Sequence, residues 1–359
     1  MDTVIRGRRA RWGAKMVAFT VVGAMAAAAC GSSSTKSSSP SGSNSSGEKV
    51  TLHLGYFPNV THAPAVYGIQ SGSFAKALGN NVTLKPAIFN AGPAADTALL
   101  SGAIDASFLG PGPAVTAFTK GDGVVVTGTA SGGAFLVVKP SITSPSQLKG
   151  KKISSPQLGN TQDIALRWYL EQQGFKTDTN GGGDVHVVPQ ANAQILTAFK
   201  SGDIDGAWVP EPYATRMVKE DGGHVLVNEA NLWPGGRFTT TVLVVNKSFL
   251  KAHPDVVKNL ITALYDATVA IKTDPTGTAS VIAAGITKGS GKTFKASLVT
   301  DSEKSITFTL DPIASSLLTV ADRQAQLGLG KKQSLSGIFD LSITNEVLQA
   351  KGQATVASS

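Results

Sequence analysis

The chain has 359 residues, 42% hydrophobic, 6% aromatic and 16% charged, with a formal net charge of +8 and one cysteine. A lone thiol excludes a disulfide framework and a thiolate metal centre, and sparse aromatics without a Lys/Arg run after residue 29 leave nucleic-acid binding without support. Residues 1–29 hold five Lys/Arg and one Asp, so the remaining 27 basic and 23 acidic residues give a net charge near +4, and half of the basicity belongs to the start of the chain.

In chain order, Arg6, Arg8, Arg9, Arg11 and Lys15 precede an uncharged apolar run from Met16 to Ala29 that ends in Ala27, Ala28 and Ala29. This is the pattern of a secretory signal over residues 1–29, and its apolar run is shorter than the roughly 20 residues a membrane-spanning helix needs. Cys30 follows, then a Ser/Gly-rich stretch to residue 48 that is too polar to fold and reads as a tether with a reach of about 20–25 Å. The arrangement resembles the lipobox of bacterial lipoproteins, with Ala27 where that pattern favours Leu. The resemblance implies an acylated Cys30 and an extracytoplasmic protein anchored to the cell membrane as a lipoprotein. No cofactor is expected.

Short Val/Ile/Leu/Thr runs then alternate with Ala-rich stretches of helical period, the pattern of parallel strands covered by helices. Strands are expected at 50–56, 82–89, 103–108, 124–128, 135–139, 152–154, 184–188, 204–208 and 239–245. Helices are expected near 64–78, 93–102, 113–120, 146–149, 161–174, 191–202, 211–221, 248–251, 254–273, 275–286, 295–302, 312–327 and 344–350. Residues 98–114 align without gaps with 198–214, six identities in seventeen at an offset of 100. Each copy is a helix stopped by Ser-Gly, an Ile-Asp turn into a buried strand and a Pro-bearing loop that starts a new helix. Two related α/β lobes are therefore expected: residues 49–137 with 243–359, and 138–242. The strands Phe135–Lys139 and Thr239–Asn246 form the hinge between them. Open α/β sheets bind ligands beyond the carboxyl ends of their strands, which makes the loops Gly110-Pro111-Gly112-Pro113 and Val209-Pro210-Glu211-Pro212 opposite walls of one cleft.

Five segments in order, Leu54 to Asn59, Phe89 to Ala95, Ser101 to Asp105 with Gly110 to Pro113, Gln157 to Thr161, and Asp205 to Tyr213, are similar to the substrate-binding proteins of ABC importers for nitrate, taurine and aliphatic sulfonates. The resemblance implies an α/β protein of the type II periplasmic-binding-protein fold, two α/β lobes joined by a two-strand hinge with the ligand cleft between them. It also implies a monomeric receptor, not an enzyme. Its ligand is a small organic anion, an aliphatic sulfonate or taurine-like compound, delivered to an ABC permease with its ATPase. Relatives often carry a His just inside the helix where this chain has Gln162-Asp163.

The residues point to an anion site on their own. Pro93, Pro113 and Thr161 stand at expected helix starts, where free N–H groups and the helix dipole favour negative charge, and Gly92, Gly112 and Gly159 admit close approach to the backbone. Asn160 and Gln162 flank Thr161, and Gly110 and Pro111 form the opposite wall. Asn59, Thr61 and His62 are expected as polar contacts from the first lobe, His62 being otherwise a surface or structural histidine, and Phe57 either packs the apolar side of the pocket or belongs to the core. Trp208 is either a wall over the apolar part of the ligand or a core residue. Glu211 is either a partner for a ligand ammonium or a carboxylate placed by the helix dipole.

Other chemistries are set aside. Lys288 to Thr293 suggests a phosphate loop, but Gly285 and Gly291 enclose five residues where that loop requires four. His53, His62, His186, His224 and His253 never fall at metal-ligand spacing, and no Gly-x-Ser-x-Gly elbow occurs. Two alternatives remain: a pyrimidine-precursor (thiamine-related) binding or synthase-like protein on the same fold, whose synthases carry a Cys-rich segment absent here, and a ligand-sensing module without transport.

Overall fold

The computed structural model describes residues 49–358; the expected signal segment, Cys30 and its tether lie outside the described residues. The chain opens with β1 (Val50–Tyr56), α1 (Ala63–Gln70), α2 (Ser73–Leu78), β2 (Val82–Ile88), α3 (Gly92–Leu100), β3 (Ala106–Leu109), α4 (Pro111–Lys120) and β4 (Gly123–Gly132). It continues through β5 (Ala134–Val138), β6 (Lys152–Pro156), α5 (Thr161–Gln172), β7 (His186–Gln190), α6 (Asn192–Ser201), β8 (Gly206–Pro210), α7 (Tyr213–Lys219) and β9 (His224–Asn228). The last stretch is β10 (Thr239–Asn246), α8 (Lys247–Ala252), α9 (Pro254–Thr273), α10 (Pro275–Ser290), α11 (Ala296–Glu303), β11 (Ile306–Phe308), α12 (Ala314–Gln326) and α13 (Ser342–Ala350).

Two sheets result, in the orders β11-β4-β10-β3-β1-β2 and β7-β6-β8-β5-β9. In the first, β1 runs parallel to β2 and β3, and β10 is antiparallel to β3 and β4. In the second, β6 runs parallel to β7 and β8, and β5 is antiparallel to β8 and β9. Five strands correspond in order and sense, β2-β1-β3-β10-β4 with β7-β6-β8-β5-β9, and β11 is additional to the first sheet, so the 98–114 and 198–214 repeat reflects two related lobes. β3, β4, β5 and β8 are buried along their whole length, as sheets covered on both faces require. One face of the first sheet carries the core of Leu54, Phe74, Ile261, Leu264 and Ile282, and the other that of Leu99, Val115 and Leu317. In the second lobe α5 closes one face through Leu166 and Leu170, while α6 and α7 close the other through Ile195, Phe199 and Met217.

The lobe boundaries differ from expectation. The first crossing lies at Gly132 and Gly133, both left-handed at φ 85° and 71°, so residues 134–138 belong to the second sheet rather than the first. The return precedes Thr239, and residues 239–242 belong to the first sheet. A pair of residues tolerating positive φ supplies the turn, and Gly132 N–H donates to Phe238 O at 3.2 Å, tying the two crossings side by side. Two edge strands, β9 and β11, and the break between α1 and α2 at Gly72 (φ 76°) went unforeseen.

Candidate functional site

The loops that follow β1, β3, β6 and β8 meet between the lobes. They enclose a cavity of about 20 Å³ lined by Phe57, Asn59, Thr61, His62, Gly110 and Thr240 from the first lobe and by Asn160, Gln162, Asn192 and Pro210 from the second. That volume admits a single water. A separate groove of about 450 Å³ is lined by Pro58, Lys292 and Phe294 of the first lobe and by Ala193, Lys200, Pro212, Arg216, Glu220 and Asp221 of the second.

No lining residue is cationic. Every polar lining side chain, from Asn59 and His62 to Gln162, Asn192 and Thr240, is at most 5% exposed. Burial holds the His62 imidazole at a pKa of about 3, far below its ordinary value, and it is neutral at physiological pH. Its Nδ1 accepts the Phe57 N–H at 3.4 Å and its ring stacks on Phe57 at 4.5 Å. The proton of the neutral ring therefore sits on Nε2, which is left as a donor. The cavity thus presents neutral amide, hydroxyl and imidazole groups.

Three helix starts abut behind it. A Cβ on Gly92 would lie 2.0 Å from Pro113 Cγ and 3.2 Å from Asn160 Oδ1, and one on Gly112 would lie 3.3 Å from Gly159 O. The N-terminal ends of α3, α4 and α5 are brought together, and the Gly112 N–H donates across the cleft to Thr161 Oγ1 at 3.3 Å. Asn160 caps α5 by accepting the Thr161 N–H at 2.8 Å. The loop before it is set by Asp163, 0% exposed, which accepts from Ser155 Oγ at 2.6 Å, Gly159 N at 2.9 Å and Arg167 Nε at 3.1 Å. Asp163 is a scaffold residue, and Gln162 beside it is the one that reaches the cavity.

Of the residues singled out in the sequence, Asn59, Thr61, His62, Gly110, Asn160 and Gln162 line the cavity. Gly92, Pro93, Pro111, Gly159 and Thr161 belong to the junction of helix starts. Trp208 and Glu211 are elsewhere. Trp208 is 0% exposed in the core of the second lobe, where its Nε1 donates to Glu229 Oε2 at 2.7 Å and its ring lies 5.4 Å from that of Tyr169. Glu211 caps α7, its carboxylate accepting from the Thr215 backbone N at 3.0 Å and Oγ1 at 2.8 Å. Asn192 and Thr240 are not among the residues the sequence singles out for the site, and Pro210 enters it only as part of the cleft-wall loop 209–212. The 100-residue offset held the signal for two of them, since it carries Gly110 to Pro210 and Gly92, the first residue of α3, to Asn192, the first of α6. It also carries His62 to Gln162, so two pairs of lining residues, Gly110 with Pro210 and His62 with Gln162, stand 100 residues apart.

Burial raises the Glu211 carboxyl from its usual 4.5 to about 7, against the opposing pull of the Thr215 bonds. A raised folded-state pKa favours the folded form below about pH 4.5, and that contribution is lost as pH rises through 7. Glu211→Gln is therefore expected to flatten the decline of stability between pH 5 and 8 by a few kcal/mol, read from urea midpoints at the two pH values. An unaltered decline would remove Glu211 as its source.

Among the described residues, no group of His, Cys, Asp or Glu is placed to hold a metal ion, and no helix is long and apolar enough to cross a membrane. Two α/β lobes with a cleft at the carboxyl ends of their strands define a bilobal ligand-binding fold of the type II periplasmic-binding-protein class. Residues 45–287 match the NMT1-like family, and the chain belongs to that family. The taurine-binding periplasmic protein of Escherichia coli K12 is 32% identical over 207 residues, a match spanning 57% of this chain and 62% of that protein. The alkanesulfonate-binding protein SsuA from Xanthomonas axonopodis pv. citri, solved bound to MOPS, shares the fold at a TM-score of 0.69 and 19% identity, over 83% of this chain and 100% of that one. The periplasmic nitrate-binding protein NrtA from Synechocystis PCC 6803 shares it at 0.67 and 14%, over 84% and 89%.

Proposed function

We propose that the protein is an extracytoplasmic solute-binding lipoprotein that captures a small organic anion, an aliphatic sulfonate or taurine-like compound, and hands it to an ABC permease driven by its ATPase. The observation that carries this reading is the interlobe cavity, lined by neutral donors from both lobes and backed by three helix starts, with no cationic side chain. Such a site holds an anion through oriented dipoles, with the helix ends adding their partial charge. The taurine-binding and sulfonate-binding relatives support a sulfonate as the class. Calorimetric titration with taurine, ethanesulfonate and nitrate tests it. At least one is expected to bind, and Gln162→Leu, which removes a donor to a charged group, is expected to cost about 1.5–3 kcal/mol of affinity. Heatless titrations with all three probes would sink the anion reading.

The lipid anchor is a separate part of the proposal, resting on the place of Cys30 between the apolar run and the Ser/Gly tether. Cys30→Ser is expected to move the protein from the membrane fraction to the soluble one and to leave ligand affinity untouched. Persistent membrane association of that variant would overturn the anchor and spare the binding site.

A further inference from the structure

Arg323 lies on α12, which packs against α4 of the first lobe and α5 of the second. Its guanidinium carbon is 3.6 Å from the ring centroid of Trp168 and 4.1 Å from that of Trp233. Trp168 is on α5 and Trp233 on the segment after β9, so both rings belong to the second lobe while the cation between them belongs to the first. Glu229 close by, 2% exposed, accepts from Trp233 Nε1 at 3.4 Å and Trp208 Nε1 at 2.7 Å; burial raises its carboxyl to about 7, against the pull of these two bonds and of the Arg323 charge. Apolar contacts ring the stack: Val320, Leu327 and Leu329 of the first lobe meet Ile164 and Trp233 of the second. None of these residues lines the ligand cavity.

We propose that the Trp168-Arg323-Trp233 stack is a closure latch, made when the lobes come together and broken when they part, that sets solute affinity from outside the ligand site. Arg323 is only 8% exposed. Burying a guanidinium is unfavourable unless it is compensated, and here the compensation comes from the opposite lobe, chiefly as two ring faces with the weaker pull of Glu229. Desolvated cation–π contacts are the stronger kind. Parting the lobes removes both rings at once, so the stack stabilises the closed form and no other. A solute that binds the closed form gains whatever population the latch adds to it. Arg323 is thus a positioning residue, acting on the solute through the lobes.

The ligand arm of the test rests on the solute-binding reading; the ligand-free arm does not. Three of the four tryptophans, 168, 208 and 233, sit in this cluster, so intrinsic emission reports its state, the fourth being Trp12 outside the described residues. The full-length protein, Arg323→Met and Arg323→Lys are compared by tryptophan emission and small-angle scattering without ligand, and by stopped-flow mixing with taurine and ethanesulfonate. Arg323→Met is expected to speed dissociation by about tenfold or more while association changes little. Without ligand it is expected to enlarge the radius of gyration and shift the emission, and Arg323→Lys, which keeps a cation, is expected to restore part of each effect. Unchanged dissociation together with unchanged ligand-free emission and scattering in Arg323→Met would overturn the latch. If neither probe binds the unmutated protein, the ligand-free arm alone decides: a larger, shifted Arg323→Met supports the latch and places the failure with the choice of solute, whereas an unaltered one overturns it.

Discussion

Gly110→Val is expected to abolish solute capture, weakening affinity by about a hundredfold or more, while the empty protein melts near its original temperature. Gly110 precedes α4 at φ −77°, a conformation any L-residue adopts, so the backbone sets no obstacle to a side chain. The obstacle is across the cleft. A Cβ at this position would stand 2.2 Å from Thr161 Oγ1 and 3.2 Å from Thr161 Cβ, both in the second lobe, whereas its nearest neighbour in its own lobe is Thr240 O at 3.5 Å. Overpacking of a closed contact costs about 1–3 kcal/mol for small insertions, and valine adds two methyls beyond that Cβ. Opening the lobes relieves the clash without disturbing either core. Calorimetric titration and ligand-free melting read the two halves of this result, and retained affinity in Gly110→Val would show that the lobes do not need to meet at Thr161 for binding.

Trp208→Ala is expected to lower unfolding free energy by about 3–5 kcal/mol, as large-to-small core substitutions do. The indole is fully buried among Leu136, Ile153, Leu166 and Leu170, and its removal leaves a cavity and takes from Glu229 its shortest hydrogen bond, at 2.7 Å. Trp208→Phe should recover most of the packing and none of that bond, falling between the two. Urea denaturation of the ligand-free variants measures both. A Trp208→Ala protein as stable as the original would mean that the ring does little for the core.

Much of the fold was legible because local chemistry and global architecture agree. The Ser-Gly stops and Pro-bearing starts of the repeat mark β3 with α4 and β8 with α7, and the cavity residues Gly110, Asn160 and Gln162 sit at helix starts whose residue types fix their place. Trp208 was not legible for a physical reason. β8 is buried on both faces, so the alternation that tells inside from outside in a half-exposed strand carries no direction there. Thr240 lies in β10, equally buried there, where nothing local distinguishes it from Thr239 and Thr241. Glu211 divides the same way: a carboxylate in the loop before a helix serves the helix as readily as a ligand, and only the Thr215 bonds decide. Arg323, Trp168 and Trp233 are too far apart in sequence for any local pattern to join them.

The second lobe is an uninterrupted stretch of chain spliced between β4 and β10, which are neighbours in the first sheet. This has a consequence for how the molecule assembles. The first sheet cannot bring β10 beside β4 without closing a loop of about a hundred residues, an entropic toll that grows with the logarithm of loop length and slows folding of non-local pairings. A second lobe that folds first removes most of that toll, because its ends at Gly133 and Phe238 then lie together and hand β10 to its partner already in place. The inserted lobe thereby acts as a template for the host, and refolding is expected to proceed from the middle of the chain outward.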